Sequence, residues 1–270
     1  MAKVFHSSQR MSAISQLNDD LESIMAYGID HKVAFEPTKT QAMFVSNTRD
    51  QGYFPSLSLL KFDGINIDFE ETLKIIGVTF DRKMNWSAMV DIVAKKGRKA
   101  LGGLYKLRPI LANLDLPYKA NVRSSMEYGS LAYMGAAPAR LQKLDQVQNR
   151  AAKLCGTTFQ SLQGRREAVA YGMLCKQLDD DCVDPVKEWC PKIIKNINHN
   201  KRKRNSVKRE YRLEPVINVH RKFSLETYKR SYVPQVVNVF DKLPNDIILE
   251  GMENGWNNIM KKGRKYLISQ

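Results

Sequence analysis

The stretch Leu141-Gln142-Lys143-Leu144-Asp145-Gln146-Val147-Gln148-Asn149-Arg150-Ala151-Ala152-Lys153-Leu154-Cys155-Gly156 reads as one basic amphipathic helix. Leu141, Leu144, Val147, Ala151 and Leu154 recur at helical spacing, while Lys143, Arg150 and Lys153 project elsewhere. The helix extends back to about 138, and its apolar stripe needs helical neighbours to cover it. The preceding residues supply them. Residues 86–107 place Met89, Ile92, Val93, Leu101, Leu104 and Leu107 inward, with Gly102-Gly103 marking a tight packing point or a kink. Residues 116–134 read as a further helix. Together these make an all-helical block.

Toward the N-terminus the period changes. A helix over 12–28 starts with Ser12 as N-cap, buries Ile14, Leu17, Leu21, Ile24 and Met25, and stops at Gly28. Alternation then predicts a hairpin from Lys32–Glu36 and Thr40–Ser46, whose turn around Pro37 presents Lys39. A second hairpin, Leu57–Phe62 with Ile65–Asp68, turns at Asp63-Gly64, the preferred pair for a type I′ turn. Residues 72–80 read as a buried strand, with Gly77 marking a bulge or a close backbone approach. After Gly156 the signals thin out. A helix is expected near 165–178, a solvated basic stretch at 198–212, and a last helix over 252–267. That last helix turns Met252, Trp256, Ile259 and Met260 inward and gathers Lys261, Lys262, Arg264 and Lys265 at its end.

The chain of 270 residues carries a formal net charge of +15, which favours a polyanionic partner. The charge is polar along the sequence. Residues 1–82 hold eight basic against eleven acidic side chains, residues 83–157 thirteen against four, and residues 158–270 twenty-two against thirteen. The densest cluster is Lys95, Lys96, Arg98 and Lys99, followed by Lys106 and Arg108. Lys95, Arg98, Lys99 and Lys106 can share a helix face, the candidate surface for phosphates. Lys201-Arg202-Lys203-Arg204 has the form of a nuclear-localisation or RNA-contact tetrad, a form that solvated linkers also take.

Other classes find little support. Cys155, Cys175, Cys182 and Cys190 form no CxxC pair, and their spacing with His199 is too loose for a zinc knuckle, so free thiols in a reducing compartment are expected. The four histidines are isolated, and no serine or cysteine has a visible partner base. No apolar run reaches the ~18 residues of a membrane span, and no apolar signal core opens the chain. An intracellular protein, nuclear or cytoplasmic, is the expectation.

Several short motifs, in collinear order, give the chain a resemblance to non-LTR (LINE/jockey-type) retrotransposon reverse transcriptases. Gln16-Leu17-Asn18-Asp19-Asp20-Leu21 resembles the helix that follows the catalytic aspartates of that family. Phe35-Glu36-Pro37-Thr38-Lys39-Thr40 resembles polymerase motif D, and Ile75-Ile76-Gly77-Val78 stands where motif E, the primer grip, has an aromatic-Leu-Gly-Val. Lys99-Ala100-Leu101, Met126-Glu127-Tyr128-Gly129-Ser130 and the 141–156 stretch match the thumb-like helices, with Tyr133 at a usual tryptophan. Phe240-Asp241-Lys242-Leu243-Pro244 resembles a C-terminal Trp-Asn-x-Leu-Pro.

The resemblance implies an α+β chain. A small β-hairpin palm remnant (1–82) is followed by a helical thumb-like region (83–157) and a basic helical C-terminal region (158–270). It implies binding of RNA or an RNA–DNA hybrid, with Ile76 and Gly77 at the primer grip and Lys39 inheriting the motif D role of protonating pyrophosphate. The intact family enzyme uses two Mg²⁺ ions, held by aspartates in a palm strand and in an aromatic-x-Asp-Asp turn. Here Asn18-Asp19-Asp20 falls inside a helical pattern, and Asp179-Asp180-Asp181 lacks flanking strands and a preceding aromatic. The turn would lie just before Val4-Phe5, so this chain is expected to hold no metal and not to polymerise alone. Two other readings stay open: half of a split polymerase completed by a separate palm and fingers polypeptide, or a remnant acting as a protein-interaction module.

Overall fold

The computed structural model describes residues 9–46, 60–178, 191–195, 211–214 and 232–270. Among these residues, the mixture of helices with three small two-stranded antiparallel sheets makes the chain α+β, as expected. It divides into two compact units, Met1–Met84 and Asn85–Gln270. Lys201–Arg204 and Asp179–Asp181 lie outside the described residues.

In the first unit, α1 (Arg10–Asp30) lays Leu17, Leu21, Ile24 and Met25 against a small core of Leu60, Phe62 and Ile67. Its ends differ from expectation. Gln9 occupies the N-cap without a side-chain bond, and Ser12 lies one turn inside. Gly28 is buried within the helix, because the following chain folds back across it. Val33 N–H donates to the Gly28 carbonyl at 2.8 Å, and a Cβ on residue 28 would meet the Phe35 ring at 2.8 Å.

That return contact also explains why 32–46 is not a hairpin. The first arm is held by α1. The second forms a parallel bridge from Ala42 to Phe69, with Glu70 N–H bonded to the Ala42 carbonyl at 2.8 Å. Between the arms, Pro37–Lys39 is a single 3₁₀ turn, and Glu36 Oε1 accepts from the Thr38 hydroxyl at 2.7 Å.

The Asp63-Gly64 turn forms as read, joining β1 (Leu60–Phe62) to β2 (Ile65–Ile67) with both turn residues at positive φ. The 72–80 run, expected as one buried strand, is instead a second hairpin. β3 (Thr72–Ile75) pairs with β4 (Val78–Asp81), and Ile76 (φ 46°) and Gly77 (φ 77°) make a second turn of the same kind. A β-branched residue is unfavourable at positive φ, so propensity hides this turn. Ile75 and Ile76 are exposed.

The second unit begins with α2 (Ser87–Leu107), whose first N–H is capped by the Asn85 side chain at 2.9 Å. Met89, Val90, Val93, Ala94, Leu101 and Leu104 are buried, whereas Ile92 and Leu107, expected inside, are exposed. The close approach is at Gly97: a Cβ there would sit 2.8 Å from Met126 Cγ and 3.4 Å from Val147. Gly102 and Gly103 have open space around them instead.

The expected 116–134 helix is broken. α3 (Asp115–Pro117) runs through a π-helical turn, Tyr118–Arg123, into α4 (Ser124–Glu127). Tyr128 is then extended, and Gly129, at φ 65°, starts α5 (Ser130–Tyr133). The Tyr133 hydroxyl donates back to the Met126 carbonyl, an acceptor that the end of α4 leaves open. α6 (Pro138–Cys155) buries Leu144, Val147 and Ala151 and ends at the left-handed Gly156.

α7 (Leu162–Leu178) starts three residues earlier than expected, where the Ser161 hydroxyl accepts from Gly164 N–H at 3.0 Å. A short hairpin of β5 (Lys192–Lys195) and β6 (Tyr211–Glu214) is unheralded in the sequence pattern. Three helices follow: α8 (Tyr232–Phe240), α9 (Asn245–Asn254) and α10 (Trp256–Ser269). The last helix is therefore two, divided at Gly255 (φ 85°), and Met252 is exposed on α9. Lys261, Lys262, Arg264 and Lys265 lie in the middle of α10, not at its end, because the helix continues to Ser269. Lys262 pairs with Glu250.

The core joining α7 to α10 contains Tyr171, Leu174, Phe240, Leu243, Trp256 and Leu267. Tyr171 lies over Gly263, and Arg264 lies over Gly172 with its Nε bonded to the Ala168 carbonyl at 3.2 Å.

Candidate nucleic-acid interface

The site is built on α2 because α2 is held on two sides and free on a third. Its buried face packs against α6 and against the Tyr118–Glu127 helix, which leaves the opposite face to solvent. At 100° per residue, Lys95, Lys99 and Lys106 fall within about 40° of one another on that outer face. At 1.5 Å per residue they span about 16 Å. Arg98 is exposed on the flank of the row, and Lys96 on the other flank. Between Lys99 and Lys106 the crest is Gly102-Gly103, bare of side chains.

Asp91 is the single acidic residue of α2, and its carboxylate is engaged by Lys143 of α6. Among the described residues no carboxylate pairs with Lys95, Lys96, Arg98, Lys99 or Lys106. An unpaired row keeps its potential for a ligand, whereas ion-paired lysines would have spent theirs.

Behind the row, a polar layer fixes the helices. The buried Gln148 amide is satisfied at both ends: it accepts from the Tyr118 hydroxyl at 2.8 Å and donates to the Gln160 carbonyl at 3.0 Å. Burial pushes the Tyr118 hydroxyl up to about 12. Glu127 of α4 and Arg165 of α7 form a two-bond ion pair, which raises the Arg165 guanidinium above its ordinary value. The neighbouring Arg166 is buried, and desolvation lowers its pKa while Tyr133, Asp145, Glu167 and Glu127 pull it back up. Burial raises Asp145 in turn, against the pull of Arg166. Sequence reading missed this layer. Gln148 lies between Leu144 and Ala151 on the apolar stripe, and a polar residue there was the available signal.

The first-unit candidates are placed differently. Lys39 is exposed in the 3₁₀ turn, and Ile76 and Gly77 form the tip of the β3–β4 hairpin, where Ile76 is 85% exposed. Asp19 and Asp20 occupy adjacent positions in the middle of α1, about 100° apart around its axis. They do not fit a two-metal cradle, which needs carboxylates converging from a strand and a turn. Among the described residues no three His, Cys, Asp or Glu side chains gather as a metal-holding group. Among the same residues no helix is long and apolar enough to cross a membrane.

Known families, curated proteins and solved structures offer no match to this chain. The α2 row is thus argued from its own geometry. What it can do chemically is neutralise a line of phosphates at a spacing set by a rigid helix.

Proposed function

We propose that this chain binds RNA or an RNA–DNA hybrid through the outer face of α2, as a reverse-transcriptase-derived protein that does not polymerise alone. The observation that supports the reading is the row Lys95, Lys99 and Lys106, with Arg98 beside it, unopposed by any carboxylate among the described residues. Contacts of this kind go to phosphates, so they position a duplex without reading its sequence. The collinear motifs of the sequence supply the family part of the proposal. Phe240 and Leu243 of its C-terminal motif are buried at the α8–α9 turn, an anchoring role. Ile76 and Gly77 offer a tip that can touch a primer strand. The inherited role of Lys39 as a proton donor calls for an active site supplied in trans.

Fluorescence-anisotropy titration of a labelled hybrid across a salt series tests the binding. The apparent affinity should fall steeply with salt. Replacing Lys95, Lys99 and Lys106 together by alanine should reduce the log–log slope by about 0.7–0.9 for each phosphate left without its cation. A slope that is flat in the wild type, or unchanged in the triple variant, would overturn the assignment. Primer extension with Mg²⁺ tests the other half: incorporation by the purified chain would refute catalytic silence.

A further inference from the structure

The two hairpins of the first unit treat their edges differently. In β1 the outward-facing Lys61 N–H is closed off by the Asn18 side chain of α1 at 3.0 Å. β3 has no such cover. Its two-residue turn, Ile76-Gly77, closes on the pair Ile75–Val78, and Arg82 N–H donates to the Glu71 carbonyl at 3.2 Å, so the odd-numbered residues of β3 face β4. Thr72 and Lys74 therefore direct their N–H and C=O groups away from β4, and among the described residues nothing is bonded to them on that side. Before them the edge is shut, because Glu70 N–H is bonded to the Ala42 carbonyl at 2.8 Å. After them the chain turns. What stays open is one strand's length, exposed at Thr72, Lys74 and Ile75 and carrying neither proline nor bulge.

We propose that this edge is a self-association surface, on which β3 pairs with β3 of a second copy, antiparallel about a two-fold axis. An open row of N–H and C=O groups is satisfied by another extended backbone. The charges along the strand select the copy and its direction. Glu70 and Glu71 precede β3, and Lys74 lies near its end. An antiparallel copy sets the acidic start of one strand beside the basic end of the other, twice, whereas a parallel copy sets like beside like. Outward residues pair only with outward residues, which narrows the register. Pairing Lys74 with Lys74 opposes two like charges, and pairing Thr72 with Thr72 runs into the Ala42 segment on Glu70. The register that survives sets Thr72 against Lys74 of the second copy and Leu73 against its Leu73. Lys74 is then a diagonal neighbour of the second copy's Glu70, within reach of long side chains. The same patch serves both copies, so the contact closes at two.

The test uses the full chain as wild type, Lys74→Glu, Glu70→Lys and Thr72→Pro. Positions 70, 72 and 74 are exposed, and proline at 72 removes an outward N–H, so thermal melts should change little. Glu70→Lys also gives up an exposed hydrogen bond from Gln41. Sedimentation velocity over a dilution series should show a monomer–dimer equilibrium for the wild type. K74E and E70K each bring like charges together twice across the axis, so each alone should dimerise about tenfold more weakly. Mixed in equal amounts, the two are complementary again and should form a heterodimer of wild-type strength. T72P alters no charge and should also lose the dimer, as backbone pairing requires and a contact between side chains alone does not. A wild type that is monomeric throughout the series overturns the proposal. So does a dimer that survives all three substitutions, which would place the contact elsewhere, or a K74E and E70K mixture that stays as weak as its components.

Discussion

Tyr118 shows how much of the second unit depends on one hydroxyl. Phenylalanine at this position keeps the ring but leaves Gln148 Oε1 buried without its donor. Y118F should cost about 1–3 kcal/mol, read from chemical denaturation at pH 7. The pH dependence has a definite sign. Burial raises this hydroxyl from 10.0 to about 12, so the folded state holds its proton where the unfolded chain has begun to release it. The resulting stability is complete below pH 10 and is lost as pH rises through about 12. Burial raises Tyr133 further still, so its contribution starts to fall in the same range and is lost at higher pH, and Y118F should reduce the alkaline loss without abolishing it. At this scale the sequence was a partial guide. The basic side chains of α2 were legible because nothing buries them. Ile76 as a turn residue was not, since a β-branched side chain at positive φ contradicts the propensity on which such readings rest. Gln148 was overlooked as a buried anchor, although its place on the apolar stripe announced it.

Among the elements, the helices with long clean periodicity emerged close to where they were read, with α6 at Pro138–Cys155 and α2 at Ser87–Leu107. Those that failed did so where tertiary contacts overrode local pattern. The 32–46 arms alternate like strands, but one is recruited by Gly28 of α1 and the other by Phe69, so they never pair with each other. The helix expected over 116–134 carries a π turn and a left-handed glycine that periodicity does not register. The α7–α10 contact gives a sharp test at this scale. Alanine at Gly263 would place a methyl group against the Tyr171 ring, which is fully buried and has no room to retreat. G263A should destabilise the protein by about 1–3 kcal/mol, measured as a lower denaturation midpoint, while binding of hybrid by the folded fraction stays unchanged.

At the scale of the whole molecule, the core clusters of the two units differ in size among the described residues. The first buries Leu60, Phe62 and Ile67 in its core cluster, while the second has the large cluster around Tyr171 and Phe240. A thin core opens at lower free energy, so amides of β1–β4 should exchange with deuterium faster than those of α2, α6 and α7. Peptide-resolved exchange that showed equal protection would contradict this ranking. The sequence changes after Asp81 from period 2 and a slight acidic excess to period 3.6 and a basic excess. The hairpin of β5 and β6 was not legible, because its strands are only four residues long and separated by a charged stretch. The pairing of α7 with α10 also orders events during synthesis. Tyr171 waits for Gly263, and the core behind it waits for Leu267, so a ribosome must translate almost a hundred further codons before α7 has its cover. The α2–α6 block, whose partners are near in sequence, can assemble long before that, leaving a nascent chain with a finished cationic face and an apolar flank still in need of shielding.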